Sequence, residues 1–460
     1  MEGRKSRPPK DTFRSFSCVI RSSGTLYQIQ IGGIRYEQAM QCLLVGLVLL
    51  AATTQCVSRS VSVYDAKGLF ADRLTQEDRA RLLKCPCSSA SLCLPVDFAG
   101  KKTRKEIFAF SVATDDRWKQ YDWEQLTTVA WNEDKELLCH AHSKGVKIVV
   151  KHNFDDVNQL CNVSARQEWI KVQCQCTSLR ATACSAPIEC CDCVLQTTYN
   201  MIVENYADGV NIDTEKPMHG ETSKCLASLV HELRHELEQH ALTQNAQITF
   251  DVPWAPRGVD GRYYPWSELA AASDFLFVMS YDMRSQIYDA CVAGANSPLA
   301  LVKQGLQEFL FANDIAPSKL VLGVPWYGYR YPCLQEQQGA AAIDDASWCQ
   351  IRPVPFFGAP CSDAAGGQID YGDIRRLVKS HGLLEQWDPT TLTPFVWYSP
   401  PEGGRYQIWF DNPRSLKAKY ALVRELGLRG VGMWNADTLD YTAVNDSQTM
   451  WSSLAEALQP

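Results

Sequence analysis

The chain has 460 residues, of which 46% are hydrophobic and 21% are charged, values typical of a folded globular protein. This length suits one large α/β barrel with extensions, or two or three smaller domains. A formal net charge of −7 argues against the broad basic surface through which proteins attract nucleic acid, so no nucleic-acid partner is expected.

The first predicted element is a targeting segment. Residues 43–52 read LLVGLVLLAA, and small and polar residues follow to about Cys56. Such a run is typical of a signal peptide and is shorter than the roughly 20 residues that span a bilayer. We predict a signal peptide over 40–56 that starts at Met40, with residues 1–39 as an upstream extension outside the mature protein. A membrane-anchored N-terminus is the alternative, but no stable membrane insertion is expected.

The cysteine content also indicates export. The chain has 19 cysteines, which in an oxidising compartment predict several disulfides and at least one unpaired thiol. The tripeptides that begin at Asn162 and Asn445 are acceptor sites for N-linked glycans in that compartment.

Eight short apolar runs follow, most of them separated by stretches that have room for a helix. Near-continuous apolar runs are typical of buried parallel strands, and eight β-α units predict a (β/α)8 barrel, or TIM barrel, over residues 85–460. A clear helix is predicted where Leu226, Leu229, Val230, Leu233 and Leu237 recur at helical spacing. The eight runs are IFAFSV (107–112), LTTVAW (126–131), VKIVVK (146–151), DGVNIDTE (208–215), QITFDV (247–252), FLFVMSY (275–281), KLVLGVPW (319–326) and RGVGMW (429–434).

Two gaps between these runs are oversized. The gap at about 327–428 contains Cys333, Cys349 and Cys361 and a helical pattern near 413–427, which predicts a lobe inserted between strands 7 and 8. The other gap carries a Cys-rich insertion at about 171–193. This insertion is interpreted as a disulfide loop, a zinc-binding knuckle or a translated intron, and the last is favoured.

The run DGVNIDTE at 208–215 carries the chemistry. Side chains alternate along a strand, so Asn211, Asp213 and Glu215 share one face, directed into the barrel, with Glu215 at the C-terminal end where barrel active sites lie. Glycoside hydrolysis needs an acid that protonates the leaving oxygen and a group that stabilises the oxocarbenium-like transition state. Where the sugar carries a 2-acetamido group, its carbonyl oxygen can attack the anomeric carbon, and a carboxylate then orients the amide. Asp213 and Glu215 suit those two roles.

This motif resembles the D-G-x-D-x-D-x-E signature of family 18 chitinases. FLFVMSYD (275–282), KLVLGVPWYGY (319–329), GAPCSDAAG (358–366) and RGVGMWNAD (429–437) are similar to a lysosomal branch of that family. The resemblance covers about residue 85 to the C-terminus. It implies a (β/α)8 fold and substrate-assisted, retaining hydrolysis of the β1,4 linkage of the N,N′-diacetylchitobiose core of Asn-linked oligosaccharides, from a free reducing end. Lysosomal catabolism of glycoproteins and chitin oligosaccharides would be the setting.

The resemblance also implies roles for single residues. It makes Glu215 the proton donor, Asp213 the carboxylate that steers the acetamide, and Tyr281 the donor to the acetamide carbonyl. Five further residues are implied to bind substrate: Asn211, Asp208, Met279, Asp282 and Trp434. Trp434 would form the aromatic floor, and Asp208 would play a supporting part. Asn211 departs from the Asp of most family members but suits this branch.

Two other functions compete with the glycosidase. One is a non-catalytic chitin- or GlcNAc-binding lectin of the same family, although Glu215, Asp213 and Tyr281 are all present. The other is a zinc protease, because His231 and His235 fit the H-E-x-x-H pattern; the apolar stripe of the same helix places both histidines on its solvent face. We expect no cofactor, no metal, a GlcNAc-containing oligosaccharide as ligand, a monomer, and delivery to the lysosome through the secretory pathway, or secretion.

Overall fold

A computed structural model describes residues 16–22, 25–31, 73–96, 104–171, 197–334 and 349–458 of the chain. The chain divides into two compact units, residues 1–67 and 68–460. In the first unit, strands β1 (Phe16–Ser22) and β2 (Thr25–Ile31) pair antiparallel, a hairpin that the sequence analysis does not predict. The predicted signal peptide lies outside the described residues. Over the described ranges, no helix has both the length and the apolar character needed to cross a bilayer.

Eight parallel strands of the second unit close into a barrel, which confirms the predicted fold. Each of the eight apolar runs coincides with one of these strands to within a few residues, and the last strand pairs with both the first and the seventh. In chain order the barrel strands are β3 (Glu106–Phe110), β4 (Thr128–Ala130), β5 (Lys147–Lys151), β6 (Gly209–Ile212), β7 (Gln247–Pro253), β8 (Phe275–Met279), β9 (Leu320–Pro325) and β15 (Gly430–Trp434).

Side chains of the barrel strands alternate between two apolar layers. In β3, Phe108 and Phe110 belong to a cluster inside the barrel, whereas Ile107 and Ala109 belong to the larger core between strands and helices. This alternation is what the two-residue period of a strand dictates when both faces are buried. The barrel interior is therefore packed, and a ligand can enter only at its ends.

Some of the described helices begin and end at residues that the local sequence favours. Asp134 caps one of them by accepting hydrogen bonds from the amides of Glu136 and Leu137, and Gly145 ends it in the left-handed conformation. The described helices are α1 (Gln76–Leu82), α2 (Lys135–Lys144), α3 (Val163–Ile170), α4 (Thr198–Glu204), α5 (Gly220–Glu238), α6 (Trp266–Ala272), α7 (Leu299–Gln307), α8 (Tyr371–His381), α9 (Pro413–Glu425) and α10 (Val444–Leu458).

Helix α5 has the predicted apolar stripe, all five members of which are buried against the barrel. His231 and His235 of the H-E-x-x-H pattern are exposed on the opposite face, as predicted. Glu232 between them is bound by the guanidinium of Arg166 at 2.7 Å. The pattern therefore lies on a solvent-facing helix outside the barrel.

A lobe is inserted between β9 and β15, as predicted. It is an antiparallel sheet with α8 packed beside it, and its strands, in the order β11-β10-β14-β13-β12, are Gly367–Asp370, Tyr327–Pro332, Tyr406–Phe410, Thr393–Tyr398 and Gln386–Asp388. One disulfide, Cys333–Cys349, lies within the lobe. Another joins Cys361 of the lobe to Cys291 in the loop after β8. The lobe is thus fastened over the C-terminal ends of the strands.

An N-terminal strap, residues 73–96, is tied to the barrel by covalent and polar contacts. Disulfides Cys85–Cys93 and Cys87–Cys139 hold the strap, and Cys161–Cys225 links the turn before α3 to α5. Apart from Lys171, the predicted Cys-rich insertion at 171–193 lies outside the described residues. Among the described cysteines, Cys85, Cys87 and Cys93 lie close enough together to hold a metal, but all three are in disulfides.

His142 joins the strap to the base of β6. Its Nδ1 lies 2.7 Å from the carbonyl oxygen of Leu92 and its Nε2 lies 3.0 Å from Oδ2 of Asp208. Both partners are acceptors, so the ring satisfies both when it is a doubly protonated imidazolium. Burial opposes that charge, but the attraction and hydrogen bond of Asp208 outweigh it, and the pKa of His142 is raised.

The replacement His142→Gln is expected to lower the free energy of unfolding by about 2 kcal/mol at acidic pH, since it removes buried charge-assisted hydrogen bonds. Because the folded-state pKa is raised, this stabilisation is complete below the ordinary value of 6.5 and is lost as pH rises through the raised value. Denaturant unfolding at pH 5 and pH 8 measures the difference, with exposed His231→Gln as control. An equal loss at both pH values would contradict the imidazolium assignment.

Candidate active site

A pocket of about 450 Å³ opens at the C-terminal ends of the barrel strands, beneath the lobe. Its walls come from the C-terminal ends of five barrel strands or the loops that follow them, and from the lobe. Residues that line it include Trp131, Asp213, Glu215, Asp251, Asp260, Arg262, Met279, Tyr281, Asp282, Tyr329, Asp363 and Trp434. Six of the eight predicted site residues are in this set; Asp208 and Asn211 are not.

Asp213 and Glu215 follow directly after β6, which ends at Ile212 rather than continuing through the motif. Asn153 fixes this segment because its side chain accepts from the amide of Asp213 at 2.8 Å and donates to the carbonyl of the same residue at 2.7 Å. Oδ2 of Asp213 lies 3.3 Å from Nζ of Lys151. Its Oδ1 is buried and has no hydrogen-bond partner among the described residues, which leaves it available to a ligand.

Glu215 lies between groups of opposite charge. Arg262 donates to its Oε2 at 2.9 Å and also to Asp260 at 3.0 Å. The pKa of Glu215 is raised, first by burial in the pocket wall and then by repulsion from Asp213, against the opposing effect of Arg262. Its side chain is still 52% exposed, so it can reach a ligand. A carboxyl with a raised pKa beside a second carboxylate is suited to act as a general acid.

Asn211 lies below the pocket, where its side chain is hydrogen-bonded to residues that line the pocket. Its amide nitrogen donates to Thr249 at 2.9 Å and to Asp251 at 2.8 Å, and its oxygen accepts from the indole of Trp131 at 2.6 Å. The side chain is completely buried and does not line the pocket. The direct substrate-binding role predicted for Asn211 therefore needs correction, since the residue positions Trp131 and Asp251, which do line it.

The substrate-binding role predicted for Asp208 also needs correction. The residue precedes β6 and so lies at the opposite, N-terminal end of the barrel, 3% exposed. Besides His142, it accepts from the amides of Val96 at 2.6 Å and Ile148 at 2.8 Å. The motif spans the whole strand, so its first and last acids lie at opposite ends of the barrel. Asp208 holds the strap and cannot contact a ligand in this pocket.

Tyr281, Asp282 and Met279 meet on one wall. Tyr281 is buried, and its pKa is raised well above the ordinary value, first by burial and then by neighbouring carboxylates, so it stays protonated and can donate. Asp282 has a left-handed backbone (φ 52°), and its amide donates to Asn296 at 2.6 Å. Tyr327 donates to its carboxylate at 2.5 Å. Burial raises the pKa of Asp282, and hydrogen bonds from Tyr327 and Tyr329 oppose that shift.

Trp434, at the end of β15, is half-buried on the pocket floor. Its ring meets that of Trp131 edge-to-face at 5.0 Å and that of Phe110 at 5.1 Å. Lys151 lies 3.6 Å above the Trp131 ring, which helps to hold that side chain. The two tryptophans give the pocket an apolar, aromatic surface next to its carboxylates.

Sequence reasoning missed several pocket residues. Asp251 could have been found, because it shares the inward face of β7 with Thr249 and interrupts an apolar run. It is buried, and its pKa is raised well above the ordinary value by burial and by Asp213. Arg262, Asp260 and Asp363 lie in loops and carry no periodic signal that could have placed them in the pocket.

Comparisons with known proteins give a consistent result. The family described as "Glycosyl hydrolases family 18" matches residues 192–438. The protein named "Di-N-acetylchitobiase" from Rattus norvegicus is 39% identical over 84% of this chain and 95% of its own length. The Homo sapiens protein of that name is 37% identical over 81% of this chain and 89% of its own length. The class V chitinase structure from Nicotiana tobaccum superposes with a TM-score of 0.56 at 16% identity, over 77% of this chain and 99% of that one.

Proposed function

Because the chain belongs to family 18 of the glycosyl hydrolases, and so is a glycoside hydrolase, we propose that it cleaves the β1,4 linkage of N,N′-diacetylchitobiose and related oligosaccharides. The observation that carries the proposal is the meeting of Asp213, Glu215, Tyr281 and Trp434 in one pocket. The names of the rat and human relatives support the choice of substrate. A lectin would have no need of an acid with a raised pKa at Glu215.

In the proposed first step, a GlcNAc residue lies on Trp434 with its acetamide between Asp213 and Tyr281. Glu215 transfers its proton to the glycosidic oxygen, and the bond from that oxygen to the anomeric carbon breaks. The acetamide oxygen bonds to the same carbon from the other side, which gives an oxazolinium ion. Oδ1 of Asp213, which has no partner among the described residues, accepts from the acetamide N–H and balances the positive charge.

In the second step, water attacks the anomeric carbon and passes a proton to Glu215, which has become the base. The oxazolinium ring opens, and the sugar leaves with its original configuration because the carbon was inverted twice. Tyr281 donates to the acetamide oxygen in both steps. The raised pKa of Glu215 extends to higher pH the range over which the acid is protonated, and activity falls as pH rises through that pKa.

We also propose that the protein works in the lysosome after entering the secretory pathway. The signal peptide predicted at 40–56 and the cysteine content support this, as do five disulfides among the described residues. Asn162 and Asn445, the predicted glycan sites, are both exposed. Glycoprotein and chitin-oligosaccharide breakdown would be the setting, with substrates trimmed from a free reducing end.

The test uses protein expressed from Met40 in a secretory host and incubated with N,N′-diacetylchitobiose and with cellobiose at acidic pH. Cellobiose has the same linkage but no acetamide, so substrate assistance predicts GlcNAc release from the first sugar and no glucose from the second. Hydrolysis of both, or of neither, would contradict the proposal.

The replacement Arg262→Gln is expected to move the alkaline limb of the kcat/KM profile to higher pH. Arg262 lowers the pKa of Glu215, so its loss raises that pKa further and keeps the acid protonated over a wider range. Initial rates between pH 3 and pH 9 measure the shift, with exposed Arg414→Gln as the control. An unmoved or acid-shifted limb would show that Arg262 does not set the pKa of Glu215.

A further inference from the structure

Asp363 is a pocket carboxyl that the reaction described above does not use. It begins a short turn of the lobe (Asp363–Ala365), two residues after the disulfide-bonded Cys361. It lines the pocket although it is only 6% exposed. Since the disulfide ties this part of the lobe to the loop after β8, the backbone that carries Asp363 is anchored on the pocket wall.

The two oxygens of Asp363 have different surroundings. Oδ1 accepts a hydrogen bond of 2.7 Å from the hydroxyl of Tyr331, whose side chain is completely buried. Oδ2 is buried and has no hydrogen-bond partner among the described residues. A buried polar atom without a partner costs free energy, and in a pocket wall the ligand is the natural partner.

The charges around Asp363 favour its neutral form. Asp282 faces it from the loop after β8, and Tyr331 and Tyr329 face it from β10. Arg284 and Asp260 are further charged neighbours, and Arg352 donates to the carbonyl of the next residue, Ala364, at 3.2 Å. Burial and then repulsion from Asp282 raise the pKa of Asp363 to about 7, while the Tyr331 hydrogen bond and Arg284 oppose the shift. Below that pH the carboxyl is neutral, and with Oδ1 occupied by Tyr331 its proton belongs on Oδ2.

We propose that Asp363 is a substrate-binding residue contributed by the lobe, which in its neutral form donates a hydrogen bond from Oδ2 to an oxygen of the bound amino sugar. The proposal rests on the proposed function, because it takes an acetylated sugar as the ligand. Ionisation removes the donor and adds a second negative charge beside Asp282. Binding therefore weakens as pH rises through neutrality, independently of the titration of Glu215.

The test measures binding rather than turnover and uses the Glu215→Gln protein. Glutamine does not ionise, so the titration of Glu215 cannot contribute to the pH dependence. Calorimetry gives the Kd of N,N′-diacetylchitobiose between pH 4.5 and pH 8.5. We expect a Kd that is constant below about pH 6 and rises about tenfold above pH 7. A tenfold rise is the change that the loss of one good hydrogen bond produces. Adding Asp363→Asn, which keeps a neutral donor of the same shape, should abolish the rise. Adding Asp363→Ala should weaken binding about tenfold at acidic pH.

The matched control is Asp373→Asn, the same change at an exposed position of the lobe that does not line this pocket. It should leave the whole Kd profile unchanged. A pH-dependent rise that survives Asp363→Asn, or an Asp363→Ala variant that binds normally at acidic pH, would overturn the proposal for Asp363 alone. Failure of the Glu215→Gln protein to bind the disaccharide at any pH would overturn the substrate assignment, and this proposal with it.

Discussion

Replacing Glu215 with glutamine is expected to lower kcat by about 10³-fold while the disaccharide still binds. Glutamine keeps the size and the hydrogen-bonding shape of the side chain but has no proton to transfer to the leaving oxygen, and general acid catalysis contributes about 10²–10⁴-fold. The side chain is 52% exposed, and glutamine keeps an oxygen that can accept from Arg262, so the change should leave the fold intact. Initial rates of GlcNAc release, together with the Kd of N,N′-diacetylchitobiose, measure both halves of this prediction.

Glu221→Gln provides the control for this change. Glu221 is an exposed residue in the first turn of α5, a few positions along the chain, and it does not line the pocket. Its replacement should leave kcat within about twofold of the original value, as is usual for surface substitutions. A Glu215→Gln protein that keeps more than a tenth of the original kcat would exclude Glu215 as the proton donor.

Replacing Asp213 with asparagine is expected to have the next largest effect, a loss of about 10²–10³-fold in kcat, because the oxazolinium charge loses the carboxylate that stabilises it. The same change should move the alkaline limb of the pH profile to lower pH. Asp213 repels the charged form of Glu215 and so raises its pKa, and removing that negative charge lowers it again. The acid then loses its proton at a lower pH.

Asp155→Asn is the matched control for the second prediction, because Asp155 is exposed in the loop after β5 and does not line the pocket. It should change neither the rate nor the profile. If Asp213→Asn lowered kcat but left the alkaline limb in place, Asp213 would stabilise the intermediate without setting the pKa of Glu215. A normal kcat would contradict both roles.

Much of the fold could be predicted because buried parallel strands have a strong sequence signal. All eight barrel strands coincide with apolar runs to within a few residues, and α5 lies where its apolar stripe indicates. The position of the lobe followed from the length of the gap between β9 and β15. The disulfide that fastens the lobe to the barrel could not be predicted, because Cys361 and Cys291 belong to segments that are distant in sequence and meet only in the folded chain.

The site was harder to predict residue by residue. The strand period correctly directs Asn211 inward, but it cannot say how deep a residue lies, and Asn211 is buried below the pocket. Asp208 belongs to the same motif and yet lies at the other end of the barrel, since a strand crosses the barrel from end to end. Asp363 and Arg262 reach the pocket through loop geometry, which depends on tertiary contacts. The motif GAPCSDAAG (358–366) contains Asp363 but does not indicate where in the fold this residue lies.

Proton NMR of the reaction with N,N′-diacetylchitobiose tests whether this pocket hydrolyses the linkage of an acetylated amino sugar with retention of configuration. The spectra report both the release of GlcNAc and the configuration in which it first appears. We expect early spectra to show an excess of the β-anomer over the equilibrium mixture, because the acetamide and then water each invert the anomeric carbon. An initial excess of the α-anomer, or no release of GlcNAc, would contradict this expectation.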